Sequence, residues 1–350
     1  MPQRALLAAL VFLSVSCVAV TDEQGAEPLP SSAEKTAAAA STLSLADAAA
    51  LVLPTLAPDD CRLPRPDMTP PPQETPDAAV RLVPPRGVQL PPEYDPISFV
   101  EDEALREQIL DILGDEADSY AVFVKDLKTG RGLSVNAEEV FYAASVFKLF
   151  VMYELFNQQS QGLVGWADQL VVTPYYDSFG LNVRGTALCE TLTVARALVA
   201  MMAASDNAAA VLLQDLVGAG NVNESLKALG LAASEITEAL PLTAADVALL
   251  LEAIGRGQAV SASASAEMIG LMKREELDNG LGADLPEGVE LAHKTGNWFN
   301  ATHDAGIVFA PGGAYVIVVL SDKDHETALI RRLARAVFEH FEPSAATPGP

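Results

Sequence analysis

Ser145 and Lys148 form an S-x-x-K motif at the start of an apolar stretch of the chain. Apolar residues occupy nearly all sides of the helix predicted from Ala143 to Phe156, so we expect that helix to be buried. Residues i and i+3 of a helix lie on one face, which brings the hydroxyl and the amine together. A buried lysine loses its proton more easily than an exposed one, and the neutral amine can activate a serine as a nucleophile. The same residues also suit a helix cap and a lysine that extends to solvent, so this motif alone does not decide the function.

Two further short motifs follow along the chain. Ser205–Asn207 reads S-D-N and joins two predicted helices, while Lys294–Gly296 reads K-T-G and ends a predicted strand. A hydroxyl and an amide at a helix junction can relay a proton and hold a substrate carbonyl, or they can simply form a helix cap and a turn. A lysine and a hydroxyl at a strand end suit a substrate carboxylate, although an edge-strand lysine also discourages aggregation.

The three motifs occur in the order S-x-x-K, S-D-N, K-T-G, each at a suitable element boundary. This set is typical of class A β-lactamases and penicillin-binding proteins. From Asp102 to Phe341 the chain resembles a class A β-lactamase-like serine hydrolase. The stretches 136–145, 285–288, 292–296 and 303–306 resemble that family as well.

The resemblance implies catalytic roles for three residues. Ser145 would be the acylated nucleophile, and Lys148 would be its base or part of its proton relay. Ser205 would pass a proton to the leaving amine. Asp206 is expected to be structural.

The resemblance also implies substrate-binding roles. Asn207 would orient the substrate amide, and Lys294 and Thr295 would bind a substrate carboxylate beside Gly296. The backbone N–H groups of Ser145 and Asn297 would form the oxyanion hole, which needs no particular side chain at Asn297. Tyr175 and Tyr176 lie where the family often has an aromatic cleft wall, and core packing is an equal alternative for them.

The periodicity of the domain predicts a helix, then strands, a helix-rich centre, more strands and a closing helix. We therefore expect an α+β fold, in which helices flank an antiparallel sheet and an all-helical subdomain lies beside it, as in the β-lactamase/transpeptidase family. The predicted helices are Ala104–Leu113, Ala143–Phe156, Thr193–Ala204, Asn207–Val217, Thr243–Ile254, Ser263–Met272 and Glu326–Phe341. The predicted strands are Ser119–Leu127, Gly132–Val135, Val289–Thr295, Ala305–Ala310 and Ala314–Ser321.

Two features depart from the family pattern. The E-x-x-L-N motif, whose glutamate activates the deacylating water in class A enzymes, is missing, and the loop that would carry it is short. Glu235 and Glu238 are candidates for that base, and solvent-facing side chains are the alternative. The arginine that commonly helps to bind the carboxylate is also missing, because no arginine lies between Arg274 and Arg331. His303 is a possible substitute, or else an ordinary hydrogen-bonded histidine.

We therefore predict a serine hydrolase in which a β-lactam or a related amide or ester acylates Ser145 and hydrolysis of the acyl-enzyme is slow. β-Lactam catabolism, and so an antibiotic response, would follow from that activity. One alternative is an enzyme of cell-wall peptide, similar to a D-alanyl-D-alanine carboxypeptidase or transpeptidase. Another is a sensor that binds an acyl group without turnover. No metal or organic cofactor is expected, because the nucleophile, base and oxyanion donors all come from the chain.

The charge balance excludes a different class of function. The 350 residues include 22 Lys and Arg against 47 Asp and Glu, a formal net charge of −25. Such a chain lacks the basic surface that offsets phosphate charge, so no nucleic-acid partner is expected. The expected partner is a small-molecule or cell-wall peptide substrate, and the protein is expected to be a monomer.

The N-terminus predicts export from the cytoplasm. Residues 1–19 have one positive charge before a short apolar run, as in a signal peptide, and lipidation at Cys17 is the alternative to cleavage after Ala19. We expect a secreted or extracytoplasmic protein, with a membrane tether in the lipoprotein case. The proline-rich segment 20–97 is predicted to be a mostly disordered tether in which Ala46–Leu53 can form one short helix, 98–345 the catalytic domain and 346–350 a disordered tail.

Cys61 and Cys189 have no catalytic role in this interpretation. They either pair in an oxidising compartment or both stay reduced, and the sequence does not choose between these states.

Overall fold

Strands whose side chains alternate between two apolar layers build a six-stranded sheet. The computed structural model describes residues 43–57, 61, 82, 84–180 and 185–342. The sheet order is β1-β3-β2-β10-β9-β8, and every pair is antiparallel except β1 with β3. The strands of this sheet are β1 (Val100–Glu101), β2 (Tyr120–Asp126), β3 (Arg131–Val135), β8 (Glu290–Trp298), β9 (Ala301–Ala310) and β10 (Gly313–Ser321). The predicted sheet is thus present, with one parallel edge strand that was not expected.

Four shorter strands form two small ladders outside the main sheet. In one of them β4 pairs with β7, and in the other β5 pairs with β6. Their bounds are β4 (Phe141–Tyr142), β5 (Gln169–Val171), β6 (Thr191–Thr193) and β7 (Pro241–Leu242). The β4–β7 ladder lies immediately before the S-x-x-K motif and helps to fix the position of that motif.

Helices cover both faces of the sheet and form the helical subdomain. Several of them begin with a side-chain cap: the side chains of Asp102, Thr193, Asp206 and Thr243 each accept a hydrogen bond from a backbone N–H of the first turn. The helices are α1 (Leu45–Ala49), α2 (Glu103–Leu113), α3 (Lys148–Ser160), α4 (Pro174–Asp177), α5 (Val194–Ala203), α6 (Asn207–Val217), α7 (Ala219–Leu229), α8 (Ala244–Gly255), α9 (Ala262–Met272) and α10 (Ala328–Phe341). Among the residues that the structure describes, every helix is too short or too polar to span a bilayer.

The two faces of the sheet contact different apolar layers. On β10, Val316 and Val318 face the layer formed with α3, α5, α6 and α8. Ile317 and Val319, which alternate with them, face the layer formed with α2 and α10. This period-2 alternation between two buried layers is why the central strands are apolar on both faces. The helical subdomain shares the first layer, so the sheet and the subdomain pack directly against each other.

The described part of the predicted tether packs against the domain, which corrects the prediction of disorder for those residues. Helix α1 buries Leu45 and Ala48 in the core, and Thr193 Oγ1 donates a hydrogen bond to Ala48 O at 2.8 Å. Tyr94 is also buried. The proline-rich composition did not indicate this packing, because the apolar residues of the segment join the core of the domain and do not form a core of their own. The predicted signal peptide at 1–19, Cys17 and the tail at 346–350 lie outside the described residues.

Cys61 and Cys189 form a disulfide bond that links this N-terminal segment to the loop before β6. Their Cα atoms are 5.3 Å apart, and Leu56 N donates to Cys189 O at 3.0 Å beside the bond. The structure therefore chooses the paired state of the two that the sequence left open.

Candidate active site

The S-x-x-K motif begins with a tight turn and not with the α-helix that we predicted from Ala143. Residues Ala144–Phe147 form one turn of 3₁₀ helix, and α3 starts at Lys148. Ala144 has a left-handed backbone with φ of 44°, a conformation that costs a non-glycine residue about 1–2 kcal/mol. Ala143 N donates to Leu240 O at 2.8 Å, which fixes the turn to the loop before β7. As a result Ser145 is half-buried and lines a cleft.

Lys148 occupies a fully buried position among oxygen atoms. Its Nζ lies 3.0 Å from Ser145 Oγ, 3.0 Å from Ser205 Oγ, 2.5 Å from Ser205 O and 2.8 Å from Asn207 Oδ1. The residue is 0% exposed. The structure thus brings together the first two motifs, which are separated by about 60 positions in sequence, around one amine.

The surroundings of Lys148 favour its neutral form. Burial lowers the pKa of Lys148 well below its usual value, and the positive charge of Lys294 lowers it further. Asp206 and Glu275 raise the pKa of Lys148, but by less. A neutral amine has two N–H donors and one lone pair. Its lone pair can accept the hydroxyl proton of Ser145 while the two donors serve two of the three other oxygens.

The S-D-N motif is held by a strained backbone and a helix cap. Ser205 has φ of 55°, and it is 8% exposed. Asp206 is the N-cap of α6, where its carboxylate accepts from Ala209 N at 2.7 Å and from Thr186 N at 2.5 Å. The cap directs Asp206 away from Lys148, so it is Ser205 and Asn207 that contact the amine.

The K-T-G motif lies in β8, directly against the turn that carries the serine. A Cβ added at Gly296 would lie 3.0 Å from Val146 Cγ2 and 3.4 Å from Ala143 O, so glycine allows the close approach. Thr295 and Asn297 line the cleft. Thr295 Oγ1 is buried and has no hydrogen-bond partner among the described residues. An unpaired buried hydroxyl at the cleft can bind a polar atom of a ligand.

Lys294 lies in the same strand but pairs with a residue that sequence reasoning missed. Its ammonium forms a buried ion pair with Glu275, just beyond α9, and both side chains are 0% exposed. Burial lowers the pKa of Lys294, which the charge of Glu275 only partly offsets. Burial likewise raises the pKa of Glu275. In the sequence, Glu275 follows the predicted helix Ser263–Met272, and this position does not indicate that it pairs with a lysine.

The motif residues surround a cleft of about 1050 Å³. Exposed apolar side chains lie at its edge, and the sequence did not assign any of them to the site. Phe179, and not Tyr175 or Tyr176, is the aromatic residue of the 174–180 segment that lines the cleft. The other apolar cleft residues with large exposed areas are Tyr142, Leu277 and Trp298.

Tyr176 belongs to the core. It is 1% exposed, and its hydroxyl accepts from Leu82 N at 3.3 Å and contacts Asp215 Oδ2 at 3.2 Å. Tyr175 stacks edge-on against Tyr176 and Phe179. The packing alternative therefore describes both tyrosines.

The two candidate bases for deacylation lie in different places. Glu238 is exposed and lines the cleft, together with Thr237 and Leu240. Glu235 is half-buried, its N–H donates to Pro241 O at 3.3 Å, and it does not line the cleft. Within the described residues, neither carboxylate has a hydrogen bond to Ser145 or Lys148.

His303 does not replace the missing arginine. It is 1% exposed, its Nε2 donates to Tyr142 O at 2.7 Å, and its Nδ1 accepts from Ser321 N at 3.2 Å. Burial lowers the pKa of His303. A neutral, fully bonded imidazole has no donor left for a substrate carboxylate, so His303 joins β9 to the β4 strand.

Comparison with known proteins gives one family and one fold. A sequence model of the beta-lactamase enzyme family matches residues 104–341. The structure of PBP-A is similar, with a TM-score of 0.66 and 24% identity over 71% of this chain and 100% of that chain. A penicillin G acyl-enzyme complex of a leucine-to-glutamate mutant of PBP-A has a TM-score of 0.65 and 25% identity over 73% of this chain and 100% of that chain.

A beta-lactamase from Sphaerobacter thermophilus DSM 20745 is also similar, with a TM-score of 0.64 and 22% identity over 71% of this chain and 99% of that chain. Likenesses below 25% identity concern the fold alone. No curated protein matches the chain.

Proposed function

Because the chain belongs to the beta-lactamase enzyme family, with residues 104–341 matching it, we propose that it is a serine hydrolase that is acylated on Ser145. One observation carries this proposal: Lys148 Nζ is fully buried 3.0 Å from Ser145 Oγ, and its hydrogen-bond partners among the described residues are hydroxyl, carbonyl and amide oxygens and not carboxylates. A lysine in such a place is desolvated without being neutralised by an acid, which is how an amine becomes a base near neutral pH.

The first step is acyl transfer to the serine. The neutral Lys148 amine accepts the Ser145 hydroxyl proton while Oγ bonds to the carbonyl carbon of an amide, lactam or ester. The C–N or C–O bond of the substrate then breaks. Ser205 Oγ, 3.0 Å from the amine, relays the proton from Lys148 to the leaving atom, so that charge and protons balance. Thr295, Asn297 and the amide of Asn207 face the cleft where the substrate would lie.

The second step is hydrolysis of the acyl-enzyme, and we expect it to be slow. Water must attack the ester carbon as a base removes its proton and Ser145 Oγ leaves. Glu238 is the candidate base, because it lines the cleft. It has no hydrogen bond to the serine or the lysine in the described part of the chain, so water activation is the weaker half of this site. The PBP-A mutant that forms an acyl-enzyme with penicillin G supports a long-lived adduct by similarity.

Intact-mass measurement tests the proposal directly. Incubating the protein with penicillin G should add the mass of one penicillin molecule to each chain. The Ser145→Ala protein should remain unmodified under the same conditions. Wild-type protein that stays unmodified, or an adduct that persists in Ser145→Ala, would contradict the proposal.

A cell-wall peptide is the second candidate substrate, and the cleft size favours it. At about 1050 Å³ the cleft is at the upper end of the range for small-molecule sites, which is roughly 300–1,000 Å³. Release of terminal alanine from a muropeptide without penicillin hydrolysis would select this alternative. A persistent adduct without turnover of any lactam, ester or amide would instead select an acyl-binding sensor.

We also propose that the protein acts outside the cytoplasm as a monomer. The Cys61–Cys189 disulfide supports an oxidising compartment, where such bonds persist. Whether the mature chain is secreted or held by a lipid at Cys17 follows from the mass of its N-terminal peptide after expression in a bacterium that processes lipoproteins.

A further inference from the structure

Glu275 is a buried acid with no role in the proposed acyl transfer, yet it contacts a motif residue. Its Oε2 accepts from Lys294 Nζ, and both side chains have 0% exposure. Its other oxygen, Oε1, is buried without a hydrogen-bond partner among the described residues. Burying a carboxylate that has one unsatisfied oxygen costs free energy, and the ion pair with Lys294 offsets part of that cost.

The pair has no net charge in either of its protonation states. As an ion pair the charges of Lys294 and Glu275 cancel, and after proton transfer both groups are neutral. Burial acts on both in this direction, because it lowers the pKa of Lys294 and raises the pKa of Glu275. The lysine that the K-T-G motif would offer to a substrate carboxylate therefore presents no uncompensated positive charge.

The cleft itself gives no replacement for that charge among the described residues. Its ionisable lining side chains there are Tyr142, Glu238 and Glu276, two of them acids. His303 is neutral and fully bonded, as shown above. Among the described residues, a substrate carboxylate beside Thr295 would thus meet a hydroxyl but no uncompensated cation.

We propose that Glu275 cancels the charge of Lys294. The cleft then prefers acyl donors whose group facing Thr295 is uncharged, for example an ester or an amide in place of a carboxylate. The inference rests on the proposed acyl transfer for its biological meaning. Glu275 is in this view a specificity-determining residue that acts through Lys294. The exposed apolar edge of the cleft, with Phe179, Leu277 and Trp298, suits such neutral donors.

The charged and titratable groups around the pair come from four elements and must be considered in its test. They are Lys148 at the start of α3, Asp206 at the cap of α6, His293 on β8 and Asp304 on β9, with Asp278 in the segment after α9. His293 Nδ1 and Asp304 Oδ1 are 2.8 Å apart, so these two already satisfy each other. Glu275 is consequently the acid whose removal exposes the charge of Lys294.

Two forms of one ligand separate charge from shape. Penicillin G carries an ionised carboxylate, and its methyl ester replaces that group with a neutral ester that is larger by one methyl group. Their equilibrium affinities are measured by calorimetry at pH 6 in a Ser145→Ala background, where no acyl bond can form. The acid and the ester should bind the Ser145→Ala protein with affinities that agree within about threefold.

Removing the Glu275 carboxylate should leave the charge of Lys294 uncompensated. Glu275→Gln should raise the ratio of acid to ester affinity at least about tenfold, since the uncompensated charge of Lys294, the neighbour of Thr295 in β8, would attract the carboxylate. Asp278→Asn is the matched control, because it removes one nearby acid that is exposed and outside the cleft, and it should leave the ratio unchanged. Lys294→Met should also leave the ratio within about twofold, because burial raises the pKa of Glu275 and the acid becomes neutral once the ammonium that lowers that pKa is gone.

Three results would overturn the inference. They are a Ser145→Ala protein that prefers the acid to the ester tenfold, an added Glu275→Gln change that does not raise the ratio of acid to ester affinity, and an added Lys294→Met change that lowers it. If Glu275→Gln does not fold, the Lys294→Met ratio decides alone. Because binding is measured without the nucleophile, these outcomes are independent of whether the wild-type serine forms an adduct, which tests the proposed function separately.

Discussion

Two lysines of this protein are equally buried and face different partners. Lys148 and Lys294 are each 0% exposed, and in both cases burial lowers the pKa. Lys148 is surrounded by hydroxyl, carbonyl and amide oxygens, whereas Lys294 contacts the carboxylate of Glu275. Burial alone therefore does not assign a function to a lysine, because its partner decides which charge state is useful.

The difference corresponds to two kinds of site. Neutral acceptors do not cancel an ammonium charge, so an amine among them can be deprotonated and can exchange protons with Ser145 and Ser205. A carboxylate partner fixes the charge of the pair at zero and leaves the lysine with a structural task. Lys148 is then expected to act as the base, and Lys294 to act mainly as the partner of Glu275.

The largest effect is expected from removing the amine near the serine. Lys148→Met should lower the rate of adduct formation with penicillin G by about 10²–10⁴-fold, the usual contribution of a general base. Lys294→Met should lower that rate far less. Both rates come from intact masses at timed intervals, with thermal unfolding as the control for folding. Equal losses in the two variants would contradict the assignment of the base to Lys148.

Separating the Lys294–Glu275 pair should mainly change stability. Glu275→Met or Lys294→Met alone should cost about 3–5 kcal/mol, the usual result of leaving one member of a buried pair without its partner. Replacing both residues with methionine should recover most of that loss. Urea unfolding of the four proteins gives the coupling energy through a double-mutant cycle. Additive single effects would show that the pair is not coupled.

The central elements and the motif residues were predictable, because each depends on local pattern. Helix α6 begins at Asn207 and ends at Val217 as the periodicity predicts, and the S-D-N motif lies at its start. Helix α7 is absent from the predicted helices because glycine usually ends a helix, and two glycines follow Val217; in the structure Gly218 precedes α7 and Gly220 lies inside it. A glycine in a helix weakens the prediction without excluding the helix.

The partners of the two lysines were not predictable from the sequence. Ser205 lies 57 positions from Lys148, and Glu275 lies 19 positions from Lys294. Both contacts depend on the packing of separate elements against the sheet, which no local periodicity encodes. The prediction that Lys148 and Ser205 lie close together came only from the resemblance of the motifs to a family. That resemblance gave no prediction for Glu275.

A smaller effect on stability should come from tightening the contact between β8, which carries Lys294, and the turn that carries Ser145. Gly296→Ala would place a methyl group 3.0 Å from Val146 Cγ2 and 3.3 Å from His303 Cδ2, which should cost about 1–3 kcal/mol by overpacking. Gly220→Ala in α7 is the matched control, because no atom lies within 4 Å of its added methyl group, and it should be neutral or slightly stabilising. Unfolding by urea measures both. Equal stability of the two variants would mean that β8 can move away from the serine turn.

The smallest effect is a displacement of the pH profile, and it tests whether the two sites interact. Only the neutral amine of Lys148 can take the serine proton, and its pKa is lowered well below its usual value. Adduct formation should therefore rise about tenfold per pH unit below that pKa and become constant above it. The charge of Lys294 lowers the pKa of Lys148, and that of Glu275 raises it. Glu275→Gln leaves the lysine charge uncompensated, so the pKa of Lys148 falls further and the rise should move to lower pH.

Asp278→Asn, which removes an acid of the same segment that does not touch Lys294, should leave the pH profile in place. A structural defect in Glu275→Gln would lower the rate at every pH without moving the midpoint of the rise. A midpoint that moves to higher pH, or not at all, would mean that the buried pair does not influence the amine of Lys148, and the two lysines would then act as fully independent sites.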